Sequence, residues 1–388
     1  MQKKLKLGVL VSHPIQYFVP VYRGLAKADD VDLKVLYRTR VGLDEYYDAG
    51  FGQTVKWDIQ LVDGYKHQFL SGKNRIKGIE WSVVGAILRN RFDVLLVHGY
   101  NSVTNLLAIL VARLVGTKVL MRGDTRVQAH HRNVSLKALL KRALFKCCNG
   151  FVTIGTLNRE YYVKYGVQED RLFFAPFCVH NDQFAVSPEV RVKYRRKILA
   201  ELGLASESLI VLFASKLIKL KRTDELIRAF VRLTEEFPTA FLLIAGSGEE
   251  EDNLRHLAES MGGHQILFIG FQNQTQLPLL YAASDIFVLP SHLESWGLAI
   301  NEVMAAGMPV IVSSEVGAAP DLVEGKGTGI VYTSGDIVAL CQAMRTLLAQ
   351  PALREEMGYK ALTLISQWDV SECVTGILSA VKSVFSKK

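Results

Sequence analysis

The chain lacks an apolar run of the roughly 18 residues that a membrane-spanning helix needs, so no segment reads as a span. It is sparing in cysteine. There are five in 388 residues, at 147, 148, 178, 341 and 373, with no Cys-x-x-Cys spacing. They read as reduced thiols, not as a disulfide framework or a zinc site. No internal repeat or low-complexity tract is present. The apolar stretch at residues 5–12 ends in His13-Pro14-Ile15-Gln16 without a small-residue cleavage site. It therefore reads as a buried first strand and not as a secretory signal. The only Asp-x-Asp, Asp30-Val31-Asp32, falls where a helix turns into a strand. It reads as turn chemistry, not as a metal clamp.

What the chain does have is apolar bulk. Of its residues 49% are hydrophobic, more than one compact core takes up at this length, so two domains are expected. The net charge of +8 is unevenly spread. Residues 1–180 carry 27 Lys and Arg against 14 Asp and Glu, a net +13; residues 181–388 carry 19 against 24, a net −5. A basic half points to an anionic partner such as a membrane surface, a lipid phosphate or nucleic acid. Nucleic acid is the weakest of these, because the basic residues are not interleaved with aromatic ones and no nucleic-acid-binding module is present.

Short apolar runs alternate with helical patterns. Strands are expected at 6–11, 33–37, 94–97, 118–121, 151–154, 209–214, 240–245, 266–269, 286–289 and 309–312. Continuous apolar runs of this length suit parallel strands covered on both faces. Helices are expected at 222–237 and 298–306, among others. The alternation predicts doubly wound α/β structure in two sheets. Pro176 and Pro188 break the pattern near 173–190, where the charge balance also changes sign. The basic segment 134–151 predicts an amphipathic helix, either packed with a solvated Lys/Arg face or docked on an anionic leaflet.

The stretch "PSHLESWGLAINEVMAAGMPV", residues 290–310, carries two glutamates, Glu294 and Glu302, on either side of a predicted helix start. Ligands of open α/β sheets bind beyond the carboxyl ends of strands. A helix start offers free N–H groups to a diphosphate, and Gly297 lets that backbone approach closely. Glu302 lies five residues past Gly297, roughly 7.5 Å along a helix. That is about the distance from a phosphate to the ribose of its own nucleotide. Taken alone, a Glu-x7-Glu pair is more readily two surface charges, because the spacing is common by chance.

The surrounding words resemble the Glu-x7-Glu signature of family 4 retaining glycosyltransferases, with Trp296 for the usual Phe and Val303 for the usual Ala. "LIVLFASKLIKLKRTDELIRAF" resembles the family's strand–loop–helix, with Lys216 in place of Arg and Arg222 in place of Gly. "FLLIAGSGEEEDNL" resembles the next strand and its Gly246-Ser247-Gly248 turn. "ILFIGFQNQTQLPLLYAASDIFVLPS" resembles the stretch whose Gly270-Phe271 backbone meets the nucleobase. The resemblance is specific over about 209–323 and looser elsewhere. "HPIQYFVPVYR" is similar to a subgroup carrying His-Pro-Ile-Gln after the first strand.

The resemblance implies an α/β protein of the GT-B class, two doubly wound Rossmann-like domains facing a central cleft. Residues 1–180 would bind the acceptor and 181–369 the nucleotide sugar. Residues 370–388 would form a helix that can pack back on the first domain. It implies a retaining, metal-independent hexosyltransferase acting from a nucleotide diphosphate sugar, UDP- or GDP-linked, on a glycan or lipid-linked acceptor. The setting would be surface-polysaccharide synthesis, in the cytoplasm or on the inner face of the membrane, with no further cofactor and no nucleic acid. Glu294 would hold the transferred sugar and Glu302 the ribose. Lys216 and Lys221 would neutralise the diphosphate, with Gly246, Phe271, Gly297 and Leu298 completing the donor site.

The histidine that many members carry after the strand matching 118–121 is replaced by Arg122-Gly123-Asp124. Asp124 is the acceptor-side candidate in its place. His13, Gln16 and His98 are further cleft candidates, and His130 and His131 read as solvent-facing. Two other readings stand beside this one. A sugar-nucleotide epimerase on the same fold would need acids and histidines for C2 proton abstraction, and no clear set is present. A non-catalytic protein that binds nucleotide sugars or an anionic surface is the other.

Overall fold

Nearly continuous apolar strands need cover on both faces, and the chain provides it in two parallel sheets. The computed structural model describes residues 4–70, 75–76, 78–127 and 136–387. In chain order the strands are β1 (Leu5–Val11), β2 (Val31–Tyr37), β3 (Tyr46–Asp48), β4 (Gln53–Val55), β5 (His67–Phe69), β6 (Arg75–Ile76), β7 (Ile79–Glu80), β8 (Val94–His98) and β9 (Lys118–Arg122). They continue with β10 (Gly150–Thr153), β11 (Leu172–Phe174), β12 (Leu209–Ala214), β13 (Ala240–Ala245), β14 (Ile266–Gly270), β15 (Ile286–Leu289), β16 (Val310–Ser313) and β17 (Gly329–Tyr332).

The chain divides into two compact units. The first comprises the described residues of Met1–Asp44, Gln60–Cys178 and Asp369–Lys388; the second comprises Glu45–Ile59 and Val179–Trp368. The first is built on a seven-stranded sheet of order β11-β10-β9-β8-β1-β2-β5, parallel throughout. Its order reverses between β1 and β8. The second is built on a six-stranded parallel sheet, β14-β13-β12-β15-β16-β17, whose order reverses between β12 and β15. Both are Rossmann-like. At such a reversal the loops leaving the two central strands diverge and open a crevice at their carboxyl ends.

All ten strands read from the sequence are present, with ends displaced by two residues at most. The ones not foreseen are short or polar: the edge strands β5, β11 and β17, and the hairpins β3–β4 and β6–β7. The helix expected over 222–237 is shorter, Thr223–Val231. The contiguous boundary at residue 180 also needs correcting, because residues 45–59 pack with the second unit. Side chains and backbone of the loops after β12, β13 and β14 hold them there.

The C-terminal helix Val370–Ser386 belongs to the first unit, where it lies against the helix Val19–Lys27 and strands β9 to β11. Small residues admit it. A Cβ at Gly24 would come within 2.7 Å of Val374 Cγ2, and one at Gly376 would overlap the Phe174 carbonyl oxygen. Among the described residues, no helix is long and apolar enough to cross a membrane.

Candidate functional site

In the second unit, the crevice predicted by topology is bounded by the loops after β12 and β15. The first loop ends in a 3-10 turn, Lys219–Lys221. The second, residues 290–297, is fastened along its length to the segment after β16. The Glu294 N–H donates to the Glu315 carbonyl at 3.1 Å, Gly317 N–H to the Glu294 carbonyl at 3.0 Å, and Ala318 N–H to the Trp296 carbonyl at 3.0 Å. A Cβ at Gly317 would overlap the Ser295 carbonyl oxygen, so only glycine permits this approach. Trp296 is buried. Its indole N–H donates to Asn301 Oδ1 at 2.9 Å and its ring stacks on Trp368 at 5.2 Å. The loop is therefore a fixed platform.

Gly297 then opens the helix Leu298–Ala305 in a left-handed conformation, φ 96° and ψ 63°, with no side chain capping the first turn. A side chain there would be strained and would press on Glu294 Cγ at 3.3 Å. The Glu294 side chain thus lies over the uncapped helix start. Its carboxylate is ion-paired with Lys221, both side chains being less than a fifth exposed. A cation, a carboxylate and a helix N-terminus come together at the strand-order reversal.

Lys216 follows β12 directly, and the loop that carries it is zipped to its neighbours. The Ser215 N–H donates to the Ala245 carbonyl at 3.1 Å, Leu217 N–H to the Ser247 carbonyl at 2.9 Å, and Gly246 N–H to the Gly270 carbonyl at 2.8 Å. Gly246 and Gly248 have φ of 151° and 157°. A Cβ on either would overlap the Ser215 or Leu217 carbonyl. Arg222, where the family pattern has glycine, is one of two non-glycine residues at positive φ (53°) among the described residues. The glycine preference there is thus a backbone requirement, met here by an arginine whose Nε donates to buried Glu225 at 2.7 Å.

Glu302 is 1% exposed and accepts the Tyr281 hydroxyl at 2.6 Å. It is the most enclosed of the expected charged site residues. Leu298 lies in the first turn of the same helix. Phe271 meets Phe51 edge-on, ring centroids 4.7 Å apart, and Lys216 is ion-paired to Asp48 at 2.8 Å. Neither partner was foreseen, because their separation in sequence leaves no local signal.

In the first unit a cavity of about 320 Å³ opens at the reversal between β1 and β8, with Ser12, Arg38, His98, Asn105, Arg122 and Asp124 among its lining. His98 ends β8, packs on the Phe18 ring at 4.6 Å and lies 3.4 Å from the Tyr22 hydroxyl. Burial, with Arg122 adding to it, pushes its pKa down to about 3, so it is neutral near pH 7. Arg38 donates to buried Glu80 at 3.0 Å. Arg122 points away toward the C-terminal helix, with one nitrogen 3.2 Å from Cys373 Sγ and another 3.2 Å from the Pro176 carbonyl.

Asp124 is exposed at the rim. From the loop after β1 the lining takes Ser12 and Ile15, not His13 or Gln16; His13 Nδ1 lies 2.9 Å from Ser12 Oγ. Asn105 and Arg38 were missed by sequence reading, although both follow from elements that end at this crevice. His130 and His131 lie outside the described residues.

Asp30 and Asp32 sit at the opposite end of the sheet, where they pair with Lys382 and Lys66 at 2.5 and 2.6 Å. No group of three or more His, Cys, Asp or Glu side chains suited to a metal ion occurs among the described residues.

Residues 195–363 match the family model described as glycosyl transferases group 1. That span includes Lys216, Lys221, Glu294 and Glu302. The chain is 30% identical over 191 residues to a GDP-mannose-dependent α-(1-6)-phosphatidylinositol monomannoside mannosyltransferase of Mycolicibacterium smegmatis, 47% of this chain and 48% of that protein. It is 25% identical over 333 residues to a D-inositol 3-phosphate glycosyltransferase of Corynebacterium aurimucosum, 84% of this chain and 72% of that one. The chain spans about half the length of the first curated relatives it matches. Among solved structures it is similar to Anabaena HepE in complex with UDP and glucose, with a TM-score of 0.75 at 16% identity, covering 98% of this chain and 100% of that one. The fold is that of the GT-B glycosyltransferases.

Proposed function

We propose that the chain is a retaining glycosyltransferase that moves a hexose from a nucleotide diphosphate sugar to a hydroxyl of a glycan or lipid-linked saccharide. The observation that carries this reading is the Lys221–Glu294 pair above the uncapped glycine helix start, inside the segment that matches the glycosyltransferase family. Lys216, Lys221 and the helix N–H groups take the diphosphate charge, which grows as the leaving group departs. Lysines and amides can do this without a metal ion. Glu294 takes hydroxyls of the transferred sugar, Glu302 the ribose, and the backbone at Phe271 the base. The cavity of the first unit takes the acceptor, with Asp124 at its rim and neutral His98 in its wall.

Similarity to a mannosyltransferase named for GDP-mannose and to a structure holding UDP and glucose supports a UDP- or GDP-linked donor. The test is transfer itself: release of nucleoside diphosphate from a panel of nucleotide hexoses with lipid-linked or oligosaccharide acceptors. Glu294→Ala at wild-type rate would remove this assignment.

A lipid-linked acceptor at the inner face of a membrane is favoured by the helix Leu136–Lys146. Only Phe145 is buried in it, while Leu136, Leu139 and Leu140 are 74%, 59% and 62% exposed beside Lys137, Arg142 and Lys146. Exposed leucines flanked by basic residues suit an anionic bilayer surface. Co-sedimentation with anionic but not neutral vesicles checks it.

A further inference from the structure

Residues 45–59 are encoded between two strands of the first sheet, yet they pack with the second unit. Strands β3 and β4 pair Tyr46 with Val55 and Asp48 with Gln53. The turn between them rests on the loops after β12, β13 and β14. Gln53 Nε2 donates to Ser247 Oγ at 3.0 Å, and Ser247 Oγ donates to the Phe51 carbonyl at 2.9 Å. Asn273 Nδ2 donates to the Lys56 carbonyl at 2.7 Å, and the Thr275 N–H donates to Asp58 at 3.2 Å. Phe51 and Trp57 both contact the Phe271 ring, at 4.7 and 6.3 Å. The segment thus touches three of the four loops in which the donor site is proposed.

Its centre is Asp48. Oδ1 accepts Lys216 Nζ at 2.8 Å and the N–H groups of Gly50 and Phe51 at 2.9 and 3.2 Å. Burial alone would raise the Asp48 pKa, but Lys216 and the two amides together hold it below the usual carboxylate value. Asp48 is therefore an anion at neutral pH. The Lys216 ammonium also lies 4.6 Å from the centre of the Phe51 ring. Gly50 makes room for the lysine stem: a Cβ there would come within 2.7 Å of Lys216 Cδ and Nζ. Lys216 is thus held by the hairpin through charge, ring and shape together.

We propose that this turn forms part of the donor site, and that Asp48 is an internal anion which the donor's diphosphate displaces from Lys216. The inference rests on the reading of Lys216 as a diphosphate-facing cation. A phosphate that approaches Lys216 meets a carboxylate already bound to it, and two anions on one ammonium repel. Lys221 is held in the same manner by Glu294, so both lysines of the proposed site carry a carboxylate. The aromatic contacts of Phe51 and Trp57 and the bonds of Gln53 and Asn273 do not depend on Asp48. They keep the turn in place while the charge is exchanged. Asp48 then sets donor affinity, because every binding event must first break its pair with Lys216.

Asp48→Asn is the informative variant, since an amide oxygen still accepts the Gly50 and Phe51 N–H groups while the charge is gone. Calorimetric titration with UDP and GDP should show roughly two- to fivefold tighter binding than the wild type, the range expected for losing a partly exposed charge competitor. Binding of the uncharged nucleosides uridine and guanosine should not change. In the background of Lys216→Met the gain should vanish. Unchanged or weaker diphosphate binding by Asp48→Asn, with the wild type binding well, would overturn the inference and leave the donor site standing. Failure of the wild type to bind any nucleoside diphosphate would overturn both. A Lys216→Met variant with wild-type affinity would remove the premise that Lys216 faces the diphosphate.

Discussion

Lys221 and Glu294 form an ion pair from the loops after β12 and β15, the two strands between which the order of the second sheet reverses. Parallel topology alone marks that crevice as the place for a ligand. The sequence fills it with a cation, a carboxylate and a glycine-started helix. Each carries a separate requirement, and each can be altered singly.

The pair separates chemistry from binding. Glu294→Ala releases Lys221 to the diphosphate while removing the group assigned to the sugar. Transfer should fall by roughly 100-fold or more, the scale for losing one group that acts in the transition state. Nucleoside diphosphate affinity should hold or rise, because Lys221 loses its competing carboxylate. Lys221→Ala should lose both. Steady-state kinetics beside calorimetric titration of each variant checks the contrast. Parallel losses of binding and rate in Glu294→Ala would contradict it.

Two glycines fix the platform. Gly317→Ala would drive a methyl group into the Ser295 carbonyl, and the loop carrying Glu294 would have to shift. Gly297→Ala would place a side chain at φ 96°. We expect Gly317→Ala to cost on the order of 2–4 kcal/mol and Gly297→Ala roughly 1–2 kcal/mol. Denaturant midpoints of the purified variants check the order. Equal and negligible costs would mean that the loop is not held as described.

His98 gives a pH signature in the first unit. Its folded pKa is pushed down to about 3, against about 6.5 for an unperturbed histidine. Between these values the unfolded chain binds a proton that the folded chain does not. Stability therefore rises with pH across that window, and the contribution is complete above about pH 6.5. Replacing His98 with Gln should flatten the decline in stability from pH 6.5 to 4.5, by at most about 1.4 kcal/mol per pH unit. Denaturant midpoints across that range measure it. Parallel curves for the two proteins would contradict a buried neutral imidazole.

The parts of the fold visible in the sequence are those with a local cause. Apolar runs such as 209–214 and 240–245 became β12 and β13 residue for residue, because a strand buried on both faces writes itself as an uninterrupted run. Gly297 was readable at a helix start, and it has positive φ. The edge strand β5 was not readable, since His67-Gln68-Phe69 has one polar face and three residues. Asp48 was invisible for another reason. Its partner Lys216 is 168 positions away, and a contact of that span leaves no trace in spacing or periodicity. Glu302 was legible as a residue but not in its setting, because Tyr281, which donates to it, comes from a different helix.

The most direct measurement is thermal stabilisation of the wild-type protein by UDP, GDP, ADP and dTDP and their hexose conjugates, with and without EDTA. At a ligand concentration of 100 times Kd the gain is about 2.7 kcal/mol, well within detection. Stabilisation is expected from one base class, unaffected by EDTA and lost in Lys221→Ala. No stabilisation by any nucleotide would contradict a donor site at Lys221 and Glu294.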